Sequence, residues 1–305
     1  MKIGYLFSGQ GQQFADMGKD FYESEPLYKE VIDQASKALN LDLSDSDKLN
    51  NPENTQVSIL AMSYGINRLI ETIGLKPIAM TGLSLGEYSA LVSAEALSFD
   101  LGLKLVSDRS KYMDEAGLEN PGKMAAVLKI DPKLVVEVCN EIDGVYPANF
   151  NTKDQTVIGG TVQGVKEATD KLLEKGAKRV VPLNVKVSSH TPLMQSASDK
   201  LYQRLQQVDF KEPKFPVISN TTKESFNVTS IKEVLRDQLV TPTHFYEDLE
   251  KMVEDYDVDT LIEIGPGDTL SKFAKKTYKN LKIFNVDSID KFNKLKEELT
   301  TGENN

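Results

Sequence analysis

Gly82-Leu83-Ser84-Leu85-Gly86 is the segment with the most chemistry to offer. It has the G-x-S-x-G spacing, and it falls where a short apolar run over 78–83 gives way to a helical pattern. A tight turn there exposes the serine hydroxyl, and the two glycines let the backbone pass closely. The first N–H groups of the helix aim at the same point, so Leu85 N–H can donate to an oxyanion. The competing account is a glycine-rich turn with a structural serine, but the flanking strand and helix favour a nucleophile. Glu87 is read as an acid in the first helical turn, complementing the dipole.

A serine nucleophile needs a base, and the 305 residues contain only two histidines, His190 and His244. His190 lies in Val187-Ser188-Ser189-His190-Thr191-Pro192, where a small inserted unit hands the chain back to a larger one. Such a junction faces a cleft, so His190 is the expected base. His244 precedes Phe245 in a helical pattern and reads as a helix-start residue. Arg109 sits mid-helix with Met113 one turn later, among Ser107, Asp108, Ser110 and Lys111. Taken alone it reads as a solvated surface arginine. The loop 7–13, with Gly9, Gln10, Gly11 and Gln13, is either an anion nest or a plain turn, and Gln10 could donate to a tetrahedral intermediate. The single cysteine, Cys139, lies in a helix-like run and reads as a small buried side chain. One cysteine cannot form an internal disulfide, which fits a reducing compartment.

The elements that must position these groups follow from apolar spacing. Strands are expected at 2–7, 78–83, 215–219, 260–264 and 282–286. Helices are expected from Pro26, from Asn54-Thr55, from Gly86, from Asp100, over 231–239, over 245–256 and from Leu270. Strands alternating with helices imply a mostly parallel sheet covered on both faces. The middle of the chain has its own rhythm, with strands at 124–130, 146–151, 156–159 and 179–183 and helices at 132–142 and 162–175. That β-α-β-β-α-β order is ferredoxin-like. The fold class is therefore α/β, a large α/β-hydrolase-like subdomain with a small inserted ferredoxin-like one. The boundaries are 1–122 and 187–299 for the large part, 123–186 for the insert, and 300–305 for a disordered tail.

Hydrophobic residues make up 40% and charged residues 27%, ordinary for a globular chain. The formal net charge of −10 argues against broad nucleic-acid binding, which needs a basic footprint. The N-terminus turns to glycine and glutamine too early for a signal peptide, and no apolar run approaches the ~20 residues of a membrane span. The expected location is the cytoplasm and the expected state a monomer.

Together these residues resemble the malonyl-CoA:acyl carrier protein transacylases of fatty-acid synthesis, in order and to about residue 290. The matching segments are Phe7-x-Gly9-Gln10-Gly11-x-Gln13, Gly82-x-Ser84-Leu85-Gly86-Glu87-Tyr88-Ser89-Ala90-Leu91 and Arg109-x-x-x-Met113. Ala148-Asn149-Phe150-Asn151, Gln155-x-Val157-Ile158-x-Gly160 and Gly176-Ala177-Lys178-Arg179 follow. Ser189-His190-x-x-Leu193-Met194, Gln238-Leu239-x-x-Pro242 and Glu263-Ile264-Gly265-Pro266-Gly267 complete the set.

The resemblance implies that Ser84 attacks a thioester and His190 relays its proton, with a backbone carbonyl near Gln238 orienting the imidazole. It implies an oxyanion hole of Leu85 N–H and Gln10, support from Met113, and a carboxylate clamp by Arg109. That role overrides the solvated reading, because a guanidinium fork matches a carboxylate. Asn149, Asn151, Gln155, Lys178 and Arg179 would line the pantetheine and CoA side. Malonyl-CoA and acyl carrier protein are the implied partners, with no metal or other cofactor beyond the CoA thioester substrate. The sequence departs from the pattern at Leu83 (often histidine), Ser8 (proline), Ser110 (glycine) and Asp268 (lysine). The rival readings are a serine esterase or acyl hydrolase, a non-catalytic CoA- or carrier-binding module, and the same transfer serving a polyketide pathway.

Overall fold

The computed structural model describes residues 1–185 and 187–300. The tail expected over 300–305 lies outside them apart from Thr300, which ends a helix. Among the described residues eight strands run in chain order: β1 Ile3–Phe7, β2 Ala79–Gly82, β3 Gly122–Leu128, β4 Val145–Thr152, β5 Gln155–Thr161, β6 Arg179–Pro182, β7 Thr260–Ile264 and β8 Lys282–Val286. They form two sheets, β2-β1-β7-β8 and β4-β5-β3-β6.

The first sheet is parallel throughout. Its central strands β1 and β7 are buried at every residue, as suits a parallel sheet with helices on both faces, and the one buried acid, Glu263, accepts from Leu270 and Ser271 N–H. The helix Thr55–Thr72 is buried on nearly all sides, so it lies inside the large part of the molecule rather than on its surface. In register, Phe7 faces Gly82 on one side and Ile264 on the other. The three strands therefore end together, and the segments after Phe7, Gly82 and Ile264 leave from one edge. Ligand sites in open parallel sheets lie at such carboxyl ends.

The second sheet is antiparallel, and taken in chain order its strands lie 4-1-3-2 across the sheet, the ferredoxin-like arrangement. Helices Pro132–Asn140 and Val162–Glu174 lend Val135, Val138, Val165 and Leu172 to one face of it, against Val127 and Ile158. Alternate residues Met124, Ala126 and Val157 serve the other face. This layer is stitched to the rest of the chain by Thr243, whose N–H donates to Ala148 and whose carbonyl accepts from Phe150 N–H.

The expected strand over 215–219 does not form as a named strand. Val217 makes an isolated parallel bridge to Met80, and Ile218 N–H donates to the Met80 carbonyl. Pro213 and Pro216 lack the N–H groups a longer ladder would need. Helices Lys19–Ser24, Ser46–Leu49, Gln195–Leu205 and Ile289–Thr300 were not anticipated from the sequence. Asn54 precedes its helix without capping it through its side chain, which instead donates to the Lys48 carbonyl.

The antiparallel layer has a core of its own, centred on fully buried Leu172. Leu172→Ala should destabilise the protein by about 2–5 kcal/mol, from lost burial and the residual cavity. Chemical denaturation would read this as a lower midpoint, and an unchanged midpoint would show that this core carries no part of the stability.

Candidate active site

Ser84 stands between β2 and the helix Leu85–Ser93 with φ 56° and ψ −103°. The helix starts one residue earlier than expected, so Ser84 itself occupies the cap position. A Cβ on Gly86 would lie 2.1 Å from the Phe7 carbonyl oxygen, and one on Gly82 would lie 2.2 Å from the Gly86 carbonyl carbon. Both glycines are there because β1, β2 and the helix touch through backbone.

The N–H groups of this elbow are allotted one by one. Ser84 N–H donates to Asn220 Oδ1 at 2.8 Å, Gly86 N–H to the Leu83 carbonyl and Glu87 N–H to the Ser84 carbonyl. Leu85 N–H has no acceptor among the described residues, as expected at the first turn of a helix. It is the donor left for an oxyanion.

His190 Nε2 is 2.9 Å from Ser84 Oγ, and Nδ1 is 2.7 Å from the Gln238 carbonyl oxygen. The carbonyl can only accept, so Nδ1 carries the proton and Nε2 is left to accept from the serine. The His190 backbone has φ 61°, pinned by its N–H donating to the Leu239 carbonyl. Burial holds the imidazole down to about 4, assisted by the nearby Arg109 charge and opposed by the Gln238 hydrogen bond. The imidazole is neutral at pH 7 and ready to take a proton.

Arg109 is 1% exposed. Its Nη2 donates to Ser84 Oγ at 3.0 Å and to Gln238 Oε1 at 3.1 Å, and its Nη1 donates to Gln56 Oε1 at 2.6 Å. The guanidinium carbon lies 5.3 Å from the Tyr88 ring centre. No carboxylate is within ion-pair distance of it among the described residues. Burial pulls its pKa down, yet guanidinium stays charged. A buried cation held only by neutral groups is a seat for an incoming anion.

The remaining sequence candidates divide. Gln10 is exposed and its Oε1 accepts from Gln56 Nε2 at 3.1 Å, leaving its own amide nitrogen without a partner among the described residues. Met113 is buried, its sulfur 3.7 Å from Gln56 Nε2. Gln238 joins the parts: its Nε2 donates to the Ser84 carbonyl at 3.0 Å and to Glu87 Oε2. Asn149 donates to Thr243 Oγ1 at 2.7 Å, and Asn151 is buried. Gln155 and Arg179 both pair with Leu128, with Lys178 adjacent. That end of β3 lies roughly 20 Å, at ~3.3 Å per residue, from Gly122, the end against Ser188. The structure does not bring Gln155, Lys178 or Arg179 to the Ser84 cluster.

His244 caps the helix Phe245–Glu254, pairs with Glu247 and stacks on Phe150. Cys139 is buried and its thiol is pushed up to about 12, which rules it out as a nucleophile. Of the departures, Ser8 and Ser110 are buried, Leu83 supplies a backbone carbonyl to Gly86, and Asp268 pairs with Lys272.

Glu87 lies in the first helical turn as expected, but the structure gives it more to do. It is fully buried, accepting from Asn220 N–H and Gln238 Nε2, and burial raises its carboxyl to about 8. Gln56 and Asn220 were missed altogether. Each is a lone amide far in sequence from its partner, with no motif around it.

A family model for the acyl transferase domain matches residues 4–301. The malonyl CoA-acyl carrier protein transacylase of Bacillus subtilis (strain 168) is 39% identical over 296 residues, 93% of either chain. The crystal structure of the MCAT of Streptococcus pneumoniae superposes with a TM-score of 0.93 at 42% identity, covering 98% of this chain and 100% of that one. A type II PKS acyl-carrier protein in complex with its malonyl-transacylase gives a TM-score of 0.92 at 34% identity, covering 98% and 100%.

The His190 environment fixes a pH dependence. Its folded pKa of about 4 lies below the ordinary 6.5, so as pH falls the unfolded chain binds the proton first. This residue's contribution to stability is lost between those two values. Acylation of Ser84 should accordingly hold its rate well below pH 6.5 and fall nearer pH 4. Rates of acyl-enzyme formation across that range, read by intact mass, would reject the assignment if half the rate is gone at 6.5.

Proposed function

The chain belongs to the acyl transferase domain family, and within it to the malonyl-CoA:acyl carrier protein transacylases; on that premise we propose that it moves malonyl from CoA to the phosphopantetheine thiol of acyl carrier protein and so supplies fatty-acid synthesis. The observation that carries the substrate choice is Arg109, a buried cation 3.0 Å from the nucleophile's oxygen with only neutral partners. An acyl group with a free carboxylate completes it, and acetyl does not.

The transfer is ping-pong. Ser84 Oγ attacks the thioester carbonyl while His190 Nε2 takes its proton, and the Gln238 carbonyl steadies the imidazolium through Nδ1–H. The tetrahedral oxyanion is received by Leu85 N–H and the Gln10 amide. Collapse breaks the C–S bond, and His190 returns the proton to the departing CoA sulfur. The carrier-protein thiol then gives its proton to His190 and attacks the malonyl-serine ester, and Ser84 is regenerated. The thioester is already activated, so this sequence uses the chain's own side-chain and backbone groups and calls for no cofactor. Asn149 and Asn151 are placed on the pantetheine side, with Gln155, Lys178 and Arg179 further out towards the nucleotide end. The working state is a monomer in the cytoplasm. No described helix is long and apolar enough to cross a membrane, which fits that location.

Ser84→Ala should abolish the malonyl mass increment with the fold intact; an increment mapped to another residue would overturn the nucleophile. His190→Ala should slow transfer by ~10²–10⁴-fold, and His244→Ala should be mild.

Arg109→Ala should change which acyl group is loaded. Without the guanidinium the malonate carboxylate enters unpaired, at about 2–5 kcal/mol, or roughly 30- to 4000-fold in loading. Acetyl-CoA has no such group and should lose little. The malonyl-to-acetyl ratio in wild type and variant decides this, and an equal fall in both would remove the basis for malonyl selectivity.

A further inference from the structure

Asn220 lies in the irregular segment after the Val217 bridge, far from any matched motif, and is fully buried. All four of its hydrogen-bonding groups are engaged, two by the elbow and its helix and two by the helix Phe245–Glu254 and its cap. Its Oδ1 accepts from Ser84 N–H at 2.8 Å, and its Nδ2 donates to Asp248 Oδ2. Its backbone N–H donates to Glu87 Oε1, and its carbonyl accepts from His244 N–H at 2.9 Å.

Asp248 is equally buried, and its Oδ2 also accepts from Thr81 Oγ1 at 3.1 Å. Thr81 is on β2, three residues before the nucleophile. An amide side chain can be turned end for end at little steric cost, so something must decide which end meets Ser84. Asp248 Oδ2 accepts from both Thr81 Oγ1 and the amide, and an accepting oxygen takes the NH₂ end, which leaves the amide oxygen for Ser84 N–H.

We propose that Asn220, oriented by Asp248, is a positioning residue that holds the Ser84 backbone in its left-handed elbow and so reserves the oxyanion position for Leu85 N–H. A non-glycine residue at φ 56° and ψ −103° is strained and persists only where its surroundings over-determine it. The two glycine contacts make the bend possible, and the Asn220 bond selects it by giving the half-buried Ser84 N–H its acceptor. With that N–H removed from competition, the neighbouring Leu85 N–H is the elbow's one open donor. Asn220 is thus a support for the transition state of either half-reaction and is indifferent to the acyl group.

The inference rests on the malonyl-transfer reading, and a swap of side chains tests it separately. Asn220→Ala should lower kcat for malonyl loading by roughly 10- to 100-fold with KM little changed, as expected for an interaction that matters in the transition state. Asn220→Asp should be at least as poor, because two carboxyls then meet at the Asp248 contact. The double variant N220D/D248N restores one acceptor facing Ser84 N–H and one amide facing it across the contact. It should recover kcat to within a few-fold of wild type. Activity against a neutral activated ester such as p-nitrophenyl acetate should follow the same order, since the elbow serves any acyl group. Far-ultraviolet dichroism identifies variants that fail to fold, and the swap against N220D remains decisive if Asn220→Ala is one of them. A double variant no better than N220D, or an Asn220→Ala protein with full kcat, would overturn the proposal. Failure of wild type to load malonyl while the ester series keeps its order would instead strike the substrate reading alone.

Discussion

A guanidinium that is 1% exposed, with no carboxylate in reach among the described residues, has to be held by neutral dipoles. Arg109 is held by the side-chain oxygens of Gln56 and Gln238 and by Ser84 Oγ. Those oxygens come from three separate segments, so keeping one cation out of water fixes the helix Thr55–Thr72, the nucleophile elbow and the stretch around Gln238 relative to each other. An incoming carboxylate exchanges with neutral acceptors rather than with a resident ion pair. Breaking a buried ion pair would cost far more than displacing a hydroxyl or an amide.

Gln238 takes this further by serving four residues at once. Its backbone carbonyl sets the tautomer of His190, its side-chain oxygen takes Arg109, and its side-chain nitrogen reaches the Ser84 carbonyl and Glu87. A catalytic aspartate is not needed behind the histidine, because a carbonyl oxygen is enough to keep the proton on Nδ1. It is also better suited to the place. A full negative charge there would pair with Arg109 and blunt the selection of a carboxylated substrate.

Glu87 and Asp248 bear on the elbow through Asn220 and Gln238. Burial raises both carboxyls, to about 8 and about 7. Their hydrogen bonds therefore act more by geometry than by charge. The antiparallel layer contributes differently. Its central strands β3 and β5 abut Ser188 and Thr191, next to the histidine, at Gly122 and Gly159, while the other end of β3 lies beside the exposed Lys178 and Arg179.

Much of this was written locally in the sequence. A buried parallel strand is an apolar run, and an elbow between strand and helix demands Gly82 and Gly86, so the nucleophile could be read from five residues. With two histidines in the chain, the base was a choice between His190 at a junction and His244 at a helix start. The order of elements in the insert announced its topology because strand and helix periodicities differ. The helix Gln195–Leu205 went unread, although Ala197, Leu201 and Leu205 repeat every fourth residue and all three are buried. It was the tertiary structure alone that decided the fate of the polar groups. Nothing near Arg109, Glu87, Gln56 or Asn220 in sequence says whether water or protein surrounds it, and each owes its role to partners dozens of residues away. Burial and hydrogen-bond pairing are properties of the packed chain, so the same arginine that reads as a solvated helix residue becomes, once folded, a buried cation held by neutral groups beside Ser84.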